Sequence, residues 1–98
     1  MKDIVLKIGE AATYEQLAEE AAELAQAALK VARIIRGENP TPVKPEDAMN
    51  HIIEEFTDVA VVAKVLHLKV DVGIAKMKYH RWNNRIDESL DDFGIMYK

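Results

Sequence analysis

Two short pairs of acids carry the chemistry this sequence offers: Glu20 with Glu23, and Glu55 with Asp58. Residues three apart on a helix share a face, so each pair repels itself unless something neutralises it. Many such pairs are simply solvated, and position around the helix separates the cases. At 100° per residue, Glu55 and Asp58 fall among Ala48, Val59, Val62, Val65 and Leu66, away from Thr57 and Lys64. A carboxylate buried there is costly unless it is paired or binds a metal. Glu20 and Glu23 border a stripe of Leu17, Ala21, Leu24 and Ala28, next to Gln16 and Ala27. Packing that stripe on the second helix brings four acids face to face. With no cysteine in the chain, clustered oxygen ligands describe a hard-cation site, for Mg²⁺ or Mn²⁺ rather than zinc. Neutralisation by basic residues is the competing explanation, but Lys30 and Arg33 lie too far along the first helix to serve both pairs.

Three helices are predicted to position these residues. Thr13-Tyr14-Glu15-Gln16 fits a capping box, so a helix is expected over about 13–36. Its apolar positions Leu17, Ala21, Leu24, Ala28, Val31 and Ile35 recur at steps of four and three, and Gly37 is the expected C-cap. The segment 37–44 holds a glycine and two prolines and reads as a loop. Pro45 then suits the first turn of a second helix, 45–67, with Glu46 and Asp47 at its positive end. Asp71 is the expected N-cap of a third helix, 71–86, along which Val72, Ala75, Tyr79, Trp82 and Ile86 form an apolar stripe. The tail 87–98 carries Phe93, Ile95, Met96 and Tyr97 for docking on a neighbour.

The fold expected is an all-α antiparallel bundle of three main helices in a single domain spanning 1–98. The first helix also carries Ala18, Ala22, Ala25, Leu29 and Ala32 off its main stripe, too much apolar surface for a three-helix monomer. Completion of the core as a homodimer or homotetramer is therefore expected.

Composition narrows the function classes. A net charge of −4 argues against a protein that grips a nucleic-acid polymer, which needs a surplus of Lys and Arg. The absence of cysteine excludes disulfides, thiolate metal sites and a cysteine nucleophile. The first eight residues are too few and too charged for a signal peptide, and no apolar run reaches the roughly 20 residues of a membrane span. A cytoplasmic protein without membrane association is expected. No phosphate-cradling glycine loop or serine–histidine–acid arrangement is present.

Other residues bear on the site. Gln16, one turn before Glu20, is a candidate contact to a nucleobase or ribose. His51, one turn before Glu55, is either an extra ligand or proton carrier or a structural hydrogen-bonder. Tyr79 and Trp82 could stack on a base, although their place in a regular stripe favours packing. His67 and His80 have no zinc-site spacing.

The strings Glu19-Glu20-Ala21-Ala22-Glu23 and Glu55-Phe56-Thr57-Asp58-Val59 resemble the E-E-x-x-E and E-x-x-D motifs of the MazG-like all-α nucleoside triphosphate pyrophosphohydrolases. That group includes MazG, dimeric dUTPases, dCTP pyrophosphatases and phosphoribosyl-ATP pyrophosphohydrolases. The resemblance covers roughly residues 14–82. It implies that Glu20, Glu23, Glu55 and Asp58 ligate Mg²⁺, with Glu19 or Glu54 as outer or base residues. It further implies a nucleoside triphosphate substrate cleaved to a monophosphate and pyrophosphate. The family's third helix often reads Lys-Met followed by Asn and Arg four and seven residues after the Lys. Here Lys76-Met77 is followed by His80 and Asn83 at those positions, so Lys76 and Asn83 are the substrate-binding candidates and the arginine is missing. Arg81 and Arg85 lie on the opposite face, where they could serve only a site shared between subunits. Members often carry a further helix before the first motif, whereas only residues 1–12 precede it here. Two other readings stand beside this one: a helical interaction module that keeps the fold without turnover, and phosphoribosyl-ATP hydrolysis.

Overall fold

The computed structural model describes residues 2–38 and 43–92, and every described element is a helix: α1 (Lys2–Ile8), α2 (Glu10–Arg36), α3 (Pro45–Val65) and α4 (Val72–Asp92). The chain divides into two compact units, Met1–Leu68 with α1 to α3 and Lys69–Lys98 with α4.

In the first unit α2 and α3 form an antiparallel hairpin. Glu10 and Tyr14 at the start of α2 share a cleft with Val65 and Leu66 at the end of α3, and Arg33 near the end of α2 shares a groove with His51 near the start of α3. The seam follows a seven-residue repeat on both helices. Thr13, Leu17, Glu20, Leu24, Ala27, Val31 and Ile34 are the buried or half-buried line of α2, and Ala48, Ile52, Glu55, Val59, Val62 and Leu66 are that of α3. Alternate steps of four and three are those of helices packed along a left-handed seam. Glu20 and Glu55 therefore each occupy a position where an apolar residue would normally sit.

The seam is rotated from the stripe expected on α2. Ala21 and Ala28 are exposed and Ile35 is 79% exposed, whereas Glu20, Ala27 and Ile34 turn toward α3. Alanine gives the helix little reason to choose between adjacent faces, and the larger Leu17, Leu24, Val31 and Ile34 decide the phase.

The start of α2 also differs. The helix begins at Glu10, after Gly9 with φ of 92°, and Thr13 lies inside it, 2% exposed. Rather than capping, the Thr13 hydroxyl donates to the Gly9 carbonyl at 2.7 Å, the i−4 bond that a mid-helix threonine makes. Residues 2–8, for which no helix was expected, form α1, which lies against α2 and α3. Gly9 lets the chain turn between the two helices because its φ is closed to most side chains.

The expected end of α2 and both expected ends of α3 hold to within a turn. Gly37 takes φ of 72° and the Gly37 and Glu38 N–H groups donate to the Ile34 and Arg33 carbonyls, closing α2. Pro45 starts α3. α3 ends at Val65, where His67 adopts φ of 60° and its N–H donates to the Lys64 carbonyl. Residues 39–42 of the intervening loop lie outside the described residues.

In the second unit, Asp71 caps α4 as expected, its Oδ1 accepting the Ile74 N–H at 2.9 Å. The helix runs six residues beyond the expected end, to Asp92, through much of the segment read as tail. The apolar tail residues Phe93 to Tyr97 lie outside the described residues. Among the described residues, no helix is long and apolar enough to cross a membrane.

Candidate metal centre

The hairpin seam brings three of the four predicted ligands together. Carboxylate oxygens of Glu20, Glu23 and Glu55 all lie within 4.8 Å of one another. Glu55 is 8% exposed, Glu20 is half-buried and Glu23 stands at the exposed rim. Asp58, the fourth expected ligand, is half-buried one turn along α3 from Glu55 and lies outside this group of three, although its charge is felt at Glu23.

Two oxygens at the centre of the cluster are orphaned. Glu20 Oε2 and Glu55 Oε2 are buried with no hydrogen-bond partner. Their sister oxygens are engaged: Gln16 Nε2 donates to Glu20 Oε1 at 2.8 Å, and His51 Nε2 stands 3.8 Å from Glu55 Oε1. Buried acceptors without a donor are costly, and ionised ones more so. Among the described residues no Lys or Arg pairs with any of the three acids; the ion pairs are His51–Glu55 and an exposed Arg36–Glu38 at 3.9 Å. The alternative in which basic side chains neutralise the cluster therefore has no ion pair to support it. A hard divalent cation fits this donor set, since it would satisfy both orphaned oxygens and remove the repulsion together.

The repulsion registers at the rim. The Glu23 carboxyl is raised from its ordinary value of 4.5, first because a proton on it can be shared with Glu55, then by the Glu55 charge and by desolvation. The Asp58 charge adds to this, and hydrogen bonding with Glu20 opposes it.

The remaining candidates are distributed as follows. Glu19 and Glu54 are exposed, each one position before a member of the cluster. Lys76 and Asn83 lie seven residues apart on one face of α4, both exposed. Tyr79 and His80 make an edge-to-face pair with ring centroids 5.8 Å apart. Beside its candidate contact to a ligand, Gln16 makes a bond within the cluster, its amide donating to Glu20 Oε1. The signal was present in the spacing, because a Gln four residues before a Glu can bridge to it along the helix. Replacing Gln16 with Ala is expected to leave Glu20 less well oriented and to weaken binding of a divalent cation at the cluster by about tenfold. Divalent-cation titrations followed by melting check this; cation binding as tight in Gln16→Ala as in wild type would show that the amide does not orient Glu20 for a metal.

No protein-family model, curated protein or solved structure matches the chain.

Proposed function

We propose that the protein is a Mg²⁺-dependent nucleoside triphosphate pyrophosphohydrolase acting in the cytoplasm. The observation that carries this reading is the convergence of Glu20, Glu23 and Glu55 from two helices, with two buried oxygens left without partners. The motif resemblance supplies the reaction class.

In this reading Glu20, Glu23 and Glu55 hold the cation, and Asp58 adds a fourth negative charge beside them. Mg²⁺, with Mn²⁺ as a substitute, would supply there the positive charge that offsets the phosphoryl oxygens and makes water more acidic. Hydrolysis then adds water across the phosphoric anhydride. The water oxygen bonds to phosphorus, the bridging P–O bond breaks, and pyrophosphate departs with the bonding pair. An exposed carboxylate next to the cluster, on Glu19 or Glu54, takes the water's proton. Gln16 and His51, through their contacts to Glu20 Oε1 and Glu55 Oε1, would keep these two carboxylates oriented. Lys76 and Asn83 are the further substrate contacts that the resemblance implies.

The decisive experiment measures pyrophosphate and monophosphate release from a panel of ribo- and deoxyribonucleoside triphosphates, with phosphoribosyl-ATP included, in Mg²⁺ and in chelator. Metal-dependent release supports the reading. No release from any of them, with the metal still bound, would favour a binding module.

Self-association is part of the proposal. On α3, Met49, Ile53, Phe56 and Ala60 form a second line at steps of four, three and four, and Ile53 and Phe56 are 59% and 63% exposed. Leu29 on α2 is exposed as well. Among the described residues, α4 as a lone helix has nothing within its own unit against which to bury Val72, Tyr79, Trp82 and Ile86. Burying one such large side chain is worth about 1.5–3 kcal/mol. Light scattering is expected to give a dimer or tetramer of the 11.0 kDa chain, and Phe56→Asp is expected to shift it toward monomer. A wild-type mass of one chain at micromolar concentration would remove this element.

A further inference from the structure

The polar face of α2 does not stop at the acids. Gln16, Glu20, Glu23, Gln26, Lys30 and Arg33 follow one another at steps of four, three, three, four and three, so they lie along one side of the helix. The charge changes sign along it, from two acids through a neutral amide to two cations. Glu23, Gln26, Lys30 and Arg33 form one wall of an open groove of about 720 Å³ between α2 and α3, and His51 and Glu55 belong to the other wall. The groove thus runs from the acid cluster to a cationic end within one helical hairpin.

Lys30 and Arg33 have no acidic partner among the described residues, and Lys30 is half-buried. Complementing the helix dipole accounts for basic residues in the last turn of α2, where Arg33 and Arg36 lie. It does not account for Lys30, which precedes that turn, nor for a groove shared with the carboxylates. Arg36 makes its own contact with Glu38.

We propose that Lys30 and Arg33 form an anion subsite for the polyphosphate end of the substrate, the end that leaves as pyrophosphate. This assignment rests on the hydrolase reading and gives it a direction. Seven residues separate Glu23 from Lys30, roughly 10 Å along the axis at 1.5 Å per residue. Side chains on a helix lean toward its N-terminus, which carries the Lys30 and Arg33 heads back toward the acids. A single phosphate held at the carboxylate end does not also reach the cations, whereas linked phosphates do. The Arg33 guanidinium offers a fork of donors matched to phosphate oxygens, and the Lys30 ammonium a compact positive charge. The departing pyrophosphate then lies toward the C-terminal end of α2 and the nucleoside toward its N-terminal end.

Calorimetric titration of inorganic pyrophosphate and of a nucleoside monophosphate tests the assignment, in Mg²⁺ and in chelator, on wild type, Lys30→Gln, Arg33→Gln and the double variant. Each single variant is expected to weaken pyrophosphate binding by about tenfold and the double variant by about a hundredfold, with monophosphate binding held within about twofold. The Mg²⁺-induced rise in melting temperature should be the same in all four proteins. Pyrophosphate binding as tight in the double variant as in wild type would overturn the subsite, and so would its absence from wild type in both conditions. The metal reading fails separately, if Mg²⁺ leaves wild-type melting unchanged. Pyrophosphate binding that still depended on Lys30 and Arg33 in chelator would then uphold the subsite alone.

Discussion

Glu55→Gln is expected to lower pyrophosphate release by on the order of 10²–10³-fold while leaving the fold intact. Glu55 is the most buried of the three clustered acids, and its Oε2 has no partner. Glutamine keeps the shape but removes the charge, so the cation loses a ligand and the metal-free protein loses a repulsion. The variant should therefore melt higher than wild type in chelator at pH 8 and show a smaller Mg²⁺ shift. A cluster that was only a solvated surface feature predicts neither effect. Activity equal to wild type, or an equal Mg²⁺ shift in both proteins, would show that Glu55 does not hold the metal.

The seam explains why so much of this site was legible in the sequence. Glu55 falls in a run of apolar residues at steps of four and three, Ala48, Ile52, Val59 and Val62, so its inward position follows from counting, whereas Asp58 stands just off that line. α2 was harder to read because alanines occupy adjacent faces and blur the stripe. Glu20 consequently looked like an edge residue, although it lies on the seam with Leu17, Leu24 and Val31. The helix order and the loop could be read because Gly37 and Pro45 have backbone requirements that few other residues meet.

What escaped has identifiable causes. α1 has only seven residues, too few for periodicity to reveal, and its separation from α2 depends on one glycine with φ of 92°. Thr13 matched a capping box because the same Thr and Gln spacing occurs there. With the helix already under way, the Thr13 hydroxyl has a carbonyl four residues back to bond, and Gln16 has Glu20 ahead of it. Lys30 and Arg33 were set aside on their distance along the axis from both acid pairs. Neutralising both acid pairs is a different requirement from lining one groove, in which cations and acids would contact different parts of one ligand.

The second large effect expected is a pH-dependent stabilisation by Mg²⁺. The Glu23 carboxyl is raised above 4.5 in the folded protein, so the folded state holds its proton more tightly than the unfolded chain does. That contribution to stability is complete below 4.5 and is lost as pH rises through the raised folded value. Without metal, this group makes the protein less stable at pH 8 than at pH 4.5. Under the proposed function Mg²⁺ binds only the folded, deprotonated cluster, so its effect is expected to be largest at the upper end of this range, where protons compete least. At a concentration about 100 times its Kd, the cation should add about 2.7 kcal/mol, a rise of roughly 10–20 °C in melting temperature for a chain of this size. Calorimetric melting at a series of pH values, with Mg²⁺ and with chelator, measures both arms. Glu23→Gln should flatten the metal-free dependence above pH 4.5, because the titrating carboxyl is gone, and should also diminish the Mg²⁺ shift, because a ligand is gone. A metal-free dependence unchanged in Glu23→Gln would place the titration elsewhere. A Mg²⁺ shift as large at pH 4.5 as at pH 8 would mean that the cation binds away from these carboxylates.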